Sequence, residues 1–338
     1  MLTYQSLKTS LIRKAALTKT PILGEFELTS LCNFNCPMCY VKSLGKNHDL
    51  STDYWKTVFN EAVNEGLLYA LLTGGEPFLR PDFTELYNYL YDLGVKITVF
   101  SNGSLLNEAI VMAFVKRPPE MVGLTLYGYD QVSYQLMTGH ALGFEQFDQA
   151  IDLLKKHQIT FALRTIPVKL IYQELNQFIA YAKKKEVFLG YQLYVGPKRH
   201  HLSSNHDLRI SAMELNDFEK RMKEAFPVNQ VSKQNYDTTY STCPALKSAF
   251  FMTCEGYIQP CALVDKPRRL YREGQLNQLF FELNTEMTAK DSCTDCFSCE
   301  LYSDCMQCYA RRTLEGGSNH CAKYLKEIAI LKKRDRNG

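Results

Sequence analysis

Six apolar runs, at 22–29, 67–72, 95–100, 121–126, 161–166 and 188–195, alternate with stretches of helical spacing at 82–93, 106–116, 144–157 and 174–185. A further helix opens at Leu50-Ser51-Thr52-Asp53, where Ser51 suits the N-cap and Leu50 and Trp55 suit a hydrophobic staple. Leucines at 2, 7 and 11 suggest a short surface helix in front. The run at 67–72 is apolar throughout, as in a strand covered on both faces. Strands that alternate with helices pair in parallel, and the helices lie on the sheet faces. The fold class is therefore α/β. Periodicity alone leaves an open doubly wound sheet and an incomplete barrel both standing. In either layout a site belongs at the C-terminal ends of the strands.

The loop after the first run carries the densest chemistry. Leu31-Cys32-Asn33-Phe34-Asn35-Cys36-Pro37-Met38-Cys39-Tyr40 spaces its cysteines as C-x3-C-x2-C. Three soft thiolates on one loop suit a single metal centre. A zinc loop, redox cysteines and structural thiols are the plainer uses of the same residues. Held by three protein ligands, a four-iron cluster keeps one iron open to a small molecule. The chain has 338 residues and twelve cysteines, and its start lacks the apolar stretch and cleavage site of a secretory signal. A reducing cytoplasm is expected, where clustered cysteines favour metal over disulfides. No run approaches the roughly 18 apolar residues of a membrane span. A net charge of +3 is too small to argue for nucleic acid. The basic end, Lys332, Lys333, Arg334 and Arg336, reads as a solvated tail, with contact to an acidic peptide as the sharper use.

Other strand ends carry polar motifs. Thr73-Gly74-Gly75-Glu76-Pro77 closes the second run, where paired glycines let backbone approach a ligand and Glu76 offers an acceptor. Ser101-Asn102-Gly103 closes the third; Thr125 and Arg164 lie on the fourth and fifth. A guanidinium in a mostly apolar strand needs an anionic partner, either a ligand or a core carboxylate. Leu126-Tyr127-Gly128 and Met137-Thr138-Gly139-His140 follow the fourth run, with His140 read as a loop residue. Residues 196–242 turn polar around one expected helix at 212–226, and His200 and His201 fit a solvated turn better than a metal site.

Nine cysteines fall in the last third. The spacing is Cys243-x12-Gly256-x4-Cys261, then Cys296-x2-Cys299-x5-Cys305-x2-Cys308-x12-Cys321, with Cys254 and Cys293 besides. Pairs at x2 spacing are usual for tetrahedral sulfur sites, zinc or iron–sulfur. A β-hairpin with Cys254-Glu255-Gly256 at its tip is expected to deliver Cys261.

The first cysteine loop resembles the C-x3-C-x-aromatic-C signature of radical S-adenosylmethionine (SAM) enzymes, with Met38 at the aromatic position and Tyr40 following it. The resemblance implies a partial (β/α)6 barrel of the TIM type over about 22–195. It also implies a 4Fe–4S cluster on Cys32, Cys36 and Cys39, whose open iron chelates SAM. One electron then splits SAM to a 5′-deoxyadenosyl radical that takes hydrogen from substrate. Tyr40, Gly74, Gly75, Glu76 and Pro77, with Ser101, Asn102, Thr125 and Arg164, would be the cofactor-binding positions. The later spacing is similar to the SPASM domain, a small cysteine-rich α+β extension with two auxiliary 4Fe–4S clusters. By that likeness Cys243, Cys261 and Cys308 hold one cluster, with Cys254 or Cys293 as the fourth ligand. Cys296, Cys299, Cys305 and Cys321 hold the other. Cys254 is alternatively a hydrogen donor to a substrate radical or a turn residue.

The resulting plan is an N-terminal helical segment (1–21), the barrel (22–195), a bridge (196–242), the auxiliary-cluster domain (243–322), and a C-terminal helix with basic tail (323–338). The L-Y-G and T-G segments resemble the peptide-modifying branch, implying a crosslinking peptide maturase. Its partners would be a peptide or protein substrate and a reductant such as flavodoxin or ferredoxin, with neither nucleic acid nor membrane. With the barrel starting near residue 22, leader recognition would use its surface or a separate protein, or the substrate would carry no leader. A formylglycine-forming maturase with Asp130 as base, a peptide epimerase and an iron–sulfur electron carrier are the competing expectations.

Overall fold

The computed structural model describes residues 3–41, 49–192, 194–198, 205–227, 245, 247–264, 266–290, 294–306, 308–315 and 320–337. Cys243, Cys293, His200 and His201 lie outside the described residues. Six strands, β1 (Leu23–Glu27), β2 (Tyr69–Thr73), β3 (Lys96–Ser101), β4 (Met121–Thr125), β5 (Phe161–Thr165) and β6 (Leu189–Tyr191), pair in parallel in chain order. The α/β class and the parallel sheet follow the apolar alternation.

The sheet continues past β1. Strand β7 (Ala249–Met252) pairs with β1 in parallel, Leu23 opposite Ala249. It then turns back through β8 (Tyr257–Gln259) and β9 (Arg269–Leu270), giving the order β6-β5-β4-β3-β2-β1-β7-β8-β9. The hairpin forms where expected, and the sheet runs unbroken from the barrel strands into the cysteine-rich end. Phe26 of β1 locks this junction. Its ring lies 5.1 Å from Phe59, 6.1 Å from Trp55 and 5.7 Å from Phe250. All four rings are buried, each burial contributing on the order of 1.5–3 kcal/mol.

The Ser51 side chain accepts from the Tyr54 N–H and caps helix Thr52–Asn64, whose Trp55, Val58, Phe59 and Ala62 face the core. Two short helices, Gln131–Thr138 and Lys169–Gln173, stand where loops were expected. In the first, Asp130 and Ser133 form a capping box that satisfies orphan N–H groups. The basic C-terminus differs from a solvated tail. Helix Lys323–Asn337 packs on helix Ala212–Ala225. Lys332 pairs with Glu219 (3.0 Å), Lys333 with Glu300 (2.8 Å) and Arg336 with Asp304 (2.9 Å). Among the described residues no helix is long and apolar enough to cross a membrane.

Candidate functional site at the C-terminal strand ends

The cysteine loop leaves β1 at the edge where the other parallel strands also end. Arg80 holds its flanks together. Its Nη1 donates to the carbonyls of Leu28 and Leu50, both at 3.0 Å, so one guanidinium grips the chain before and after the loop. Its Nε and Nη2 form a two-point pair with Asp82 at 2.9 and 2.7 Å. Thr52 donates to the same carboxylate at 2.6 Å. Burial works against the Asp82 charge, but the Arg80 and Thr52 bonds prevail and hold the carboxyl below its ordinary value.

Gly74 and Gly75 serve the loop backbone. Their segment bonds it directly: the Gly75 N–H donates to Thr29 O (2.8 Å) and the Glu76 N–H to Leu31 O (2.7 Å). A Cβ on Gly75 would sit 2.2 Å from Leu31 O, closer than any side chain tolerates. The close approach allowed by the glycine pair is therefore to the cysteine loop. Glu76 differs from an open acceptor in a related way. It is fully buried and accepts from Ser101 Oγ (2.8 Å), Asn102 N–H (2.7 Å) and Phe78 N–H (3.2 Å), tying β2 to β3. Burial pushes its carboxyl up to about 7 against those three bonds.

Asn102 faces the loop. Its Nδ2 donates to Asn33 Oδ1 (2.9 Å) and lies 3.8 Å from Cys32 Sγ, while its Oδ1 accepts from Ser104 Oγ (2.7 Å). Phe34, two residues beyond Cys32, inserts among Tyr127, Tyr134 and His140, with centroids at 5.9, 5.9 and 5.2 Å. The L-Y-G and T-G segments thus form its socket, and the Asn35 N–H donates to Thr138 O at 2.6 Å. Gly128 is required because a Cβ there would stand 2.4 Å from the Tyr134 nitrogen at the start of helix Gln131–Thr138. Asn205 anchors the far side, its Nδ2 donating to Met38 O (3.1 Å) and Gly196 O (3.2 Å).

Arg164 and Thr125 meet on the barrel side, where Arg164 Nε donates to Thr125 Oγ1 at 3.2 Å. The guanidinium stacks 3.7 Å above the Phe100 ring. Burial lowers the Arg164 pKa, opposed in part by the Glu25 carboxylate. Glu25, half-buried on β1 and with its carboxyl raised by lost hydration, is the carboxylate acting on it. Asp130 is committed to its helix cap: the Ser133 N–H (2.8 Å) and hydroxyl (2.7 Å) hold its carboxyl below the ordinary range, unsuited to a base. His140 Nδ1 accepts from the Leu142 N–H at 3.3 Å.

The three thiols suit a soft metal centre. Cys36 is buried, Cys39 half-buried and Cys32 at the exposed rim. Loss of water pushes the Cys32 thiol up to about 11 and Cys36 higher, and the neighbouring Cys39 sulfur adds to both shifts. A bound cation relieves both costs. Among the described residues no three His, Cys, Asp or Glu side chains converge on a single ion. A four-iron cubane makes no such demand, since each thiolate takes its own corner.

In the cysteine-rich end, Cys296, Cys299, Cys305 and Cys321 line one pocket, with Arg312 and Leu325. Cys305 packs beside Tyr194, Ala322 and Leu325. Cys261 and Cys308 pack on a separate small cluster of Val264, Tyr309 and Ala310. Cys254 is fully buried at the hairpin tip, its N–H 3.4 Å from Glu27 Oε2. Sequence reasoning missed Arg80 and Asn205. An arginine three residues beyond Pro77 in an apolar setting was a usable signal for Arg80; nothing local marked Asn205.

Residues 26–184 match the family model described as the Radical SAM superfamily. The chain is 29% identical over 171 residues to the AdoMet-dependent heme synthase of Methanosarcina barkeri, covering 50% of this chain and 49% of that protein. It is 26% identical over 255 residues to the sporulation killing factor maturation protein SkfB of Bacillus subtilis, covering 73% of this chain and 62% of SkfB. Both matches take in less than two thirds of the relative's length. In fold it is similar to Streptococcus suis SuiB bound to S-adenosylmethionine, with a TM-score of 0.70 at 16% identity, over 95% of this chain and 82% of that one.

Proposed function

We propose that the chain is a radical SAM maturase acting on a ribosomally made peptide or a protein. Cys32, Cys36 and Cys39 would hold a 4Fe–4S cluster, with S-adenosylmethionine at the corner the loop leaves open. When bound, this pair supplies hydrogen-atom abstraction from carbon. The chain's own residues orient and dry the site. Arg80, Gly75, Asn102 and Asn205 fix the loop, the Phe34 socket closes one side, and Arg164 with Thr125 and Tyr40 offers a cationic wall for a carboxylate. The observation that carries the reading is the gathering of three thiols and four strand-end motifs on one sheet edge, with the Gly74–Glu76 and Ser101–Asn102 segments bonded directly to the cysteine loop and Arg164 to Thr125.

The four cysteines lining one pocket support the SPASM reading of the end, with auxiliary clusters on Cys296, Cys299, Cys305 and Cys321 and on Cys243, Cys261 and Cys308 plus Cys254 or Cys293. SkfB is a maturation protein, and SuiB has been captured with a precursor peptide, SuiA; both support a peptide substrate. The reaction is crosslink formation, a thioether, C–C or C–O bond, with a flavodoxin or ferredoxin as electron donor in the cytoplasm. The committed Asp130 carboxylate weighs against formylglycine formation. The test is anaerobic incubation with SAM, a reductant and short peptides encoded beside the gene. A peptide lighter by two hydrogens per turnover supports the proposal. Absence of 5′-deoxyadenosine from a fully iron-loaded protein assigns the chain to electron carriers instead.

A further inference from the structure

The two faces of the parallel sheet differ. The register sets Phe26, Leu72, Val99 and Val122 side by side on the face that packs against helices, and all four are fully buried. Side chains alternate along a strand, so Glu25, Leu71, Thr98 and Phe100 share the opposite, inner face with Ala162 and Arg164. Those six are only half-buried, so the inner face stays open to solvent or a ligand. A Cβ on Gly123 would stand 2.6 Å from the Phe100 ring, so this glycine makes room for the ring on that face.

Two carboxylates of β1 point the same way. Glu27 is fully buried, with the Cys254 N–H 3.4 Å from its Oε2. Glu25 keeps contact with solvent and, among the described residues, forms no hydrogen bond or ion pair. Arg164 is engaged elsewhere: its Nε donates to Thr125 Oγ1 at 3.2 Å, and its guanidinium lies 3.7 Å from the Phe100 ring centre. It acts on Glu25 through space alone.

We propose that Glu25 is a specificity-determining residue that receives a cationic group of the peptide substrate, an ammonium or a guanidinium. The inference deepens the maturase reading above and rests on it. A half-dehydrated carboxylate without a donor is costly, and a charged donor offsets that cost. Leu71, Phe100 and Ala162 suit the methylene stem of a lysine or arginine, with its charged head at Glu25. Arg164 repels a cation placed elsewhere on the face and steers the head toward Glu25.

The probe is the peptide that loses two hydrogens in the maturation assay. It is synthesised with each lysine and arginine replaced in turn by norleucine, and separately with its N-terminus acetylated. Binding is measured anaerobically on the iron-loaded full chain with SAM and no reductant. One of these changes should weaken binding to the wild type by about tenfold, which is about 1.4 kcal/mol. Which one does so tells a side chain from the terminal amine. Glu25→Gln keeps the size and should lose the same factor with the parent peptide, and nothing further with the altered one. Glu25→Asp should recover part of the loss. Parent peptide bound as tightly by Glu25→Gln as by wild type overturns the proposal, as does a loss equal for the parent and altered peptides. Wild-type binding that none of the peptide changes weakens overturns it too. A wild-type protein that forms no 5′-deoxyadenosine with SAM and dithionite fails the maturase reading itself, and the assignment falls with it.

Discussion

Replacing Arg80 by methionine keeps much of the side-chain volume but removes four hydrogen bonds at once: two to the carbonyls of Leu28 and Leu50, and two to Asp82. The Arg80 side chain is 5% exposed and that of Asp82 16%, so neither charge recovers full hydration when its partner goes. Breaking a buried pair from one side costs about 3–5 kcal/mol. The linkage carries a sign. The Asp82 carboxyl is held below its ordinary value, so its contribution is present above about pH 4 and lost as pH falls through the lowered value. Urea unfolding at pH 7 should show the full loss, and the gap between Arg80→Met and wild type should narrow in acid. Asp82→Asn in the Arg80→Met background should restore part of the stability, because the stranded charge is gone. Since both flanking carbonyls are released, iron bound at the cysteine loop should fall before iron at the C-terminal sites. An Arg80→Met protein within about 0.5 kcal/mol of wild type, at full iron content, would refute the clamp.

Glu76 titrates with the opposite sign. Its folded value near 7 lies above the ordinary 4.5, so stability is full below about pH 4.5 and declines toward pH 7, by about 3 kcal/mol. Glu76→Gln should flatten that slope in unfolding measured at pH 5 and pH 8; an identical slope counts against it. Phe34→Ala empties the aromatic socket and should cost about 3–5 kcal/mol by denaturant unfolding, with loss of loop iron; a neutral result means the socket is not packed as described. Gly128→Ala meets the Tyr134 backbone at 2.4 Å and should destabilise helix Gln131–Thr138, seen as faster amide exchange there; unchanged exchange contradicts the contact.

How much of this was legible depends on the range of the interaction. The parallel strands announced themselves because each is a local apolar run, and the Ser51 cap because its partner, the Tyr54 N–H, is three residues away. The pairing of β7 with β1 joins Leu23 to Ala249, and no period records which distant strands become neighbours. The Asn205 bond to Met38 is hidden for the same reason, spanning 167 positions. Glu76 and the glycine pair were found as motifs, yet their local role needed coordinates. A carboxylate bound by Ser101, Asn102 and Phe78 reads in sequence like one facing a ligand. The helix at Gln131–Thr138 escaped because its Asp130–Ser133 capping box lacks the usual Glu or Gln at the third position.

The central claim is that Cys32, Cys36 and Cys39 hold a cluster whose fourth corner admits SAM. Anaerobic protein carrying Cys32→Ala, Cys36→Ala and Cys39→Ala should retain about eight of about twelve irons, all at the C-terminal sites, and form no 5′-deoxyadenosine with SAM and dithionite. SAM cleavage surviving in that triple variant would contradict the account.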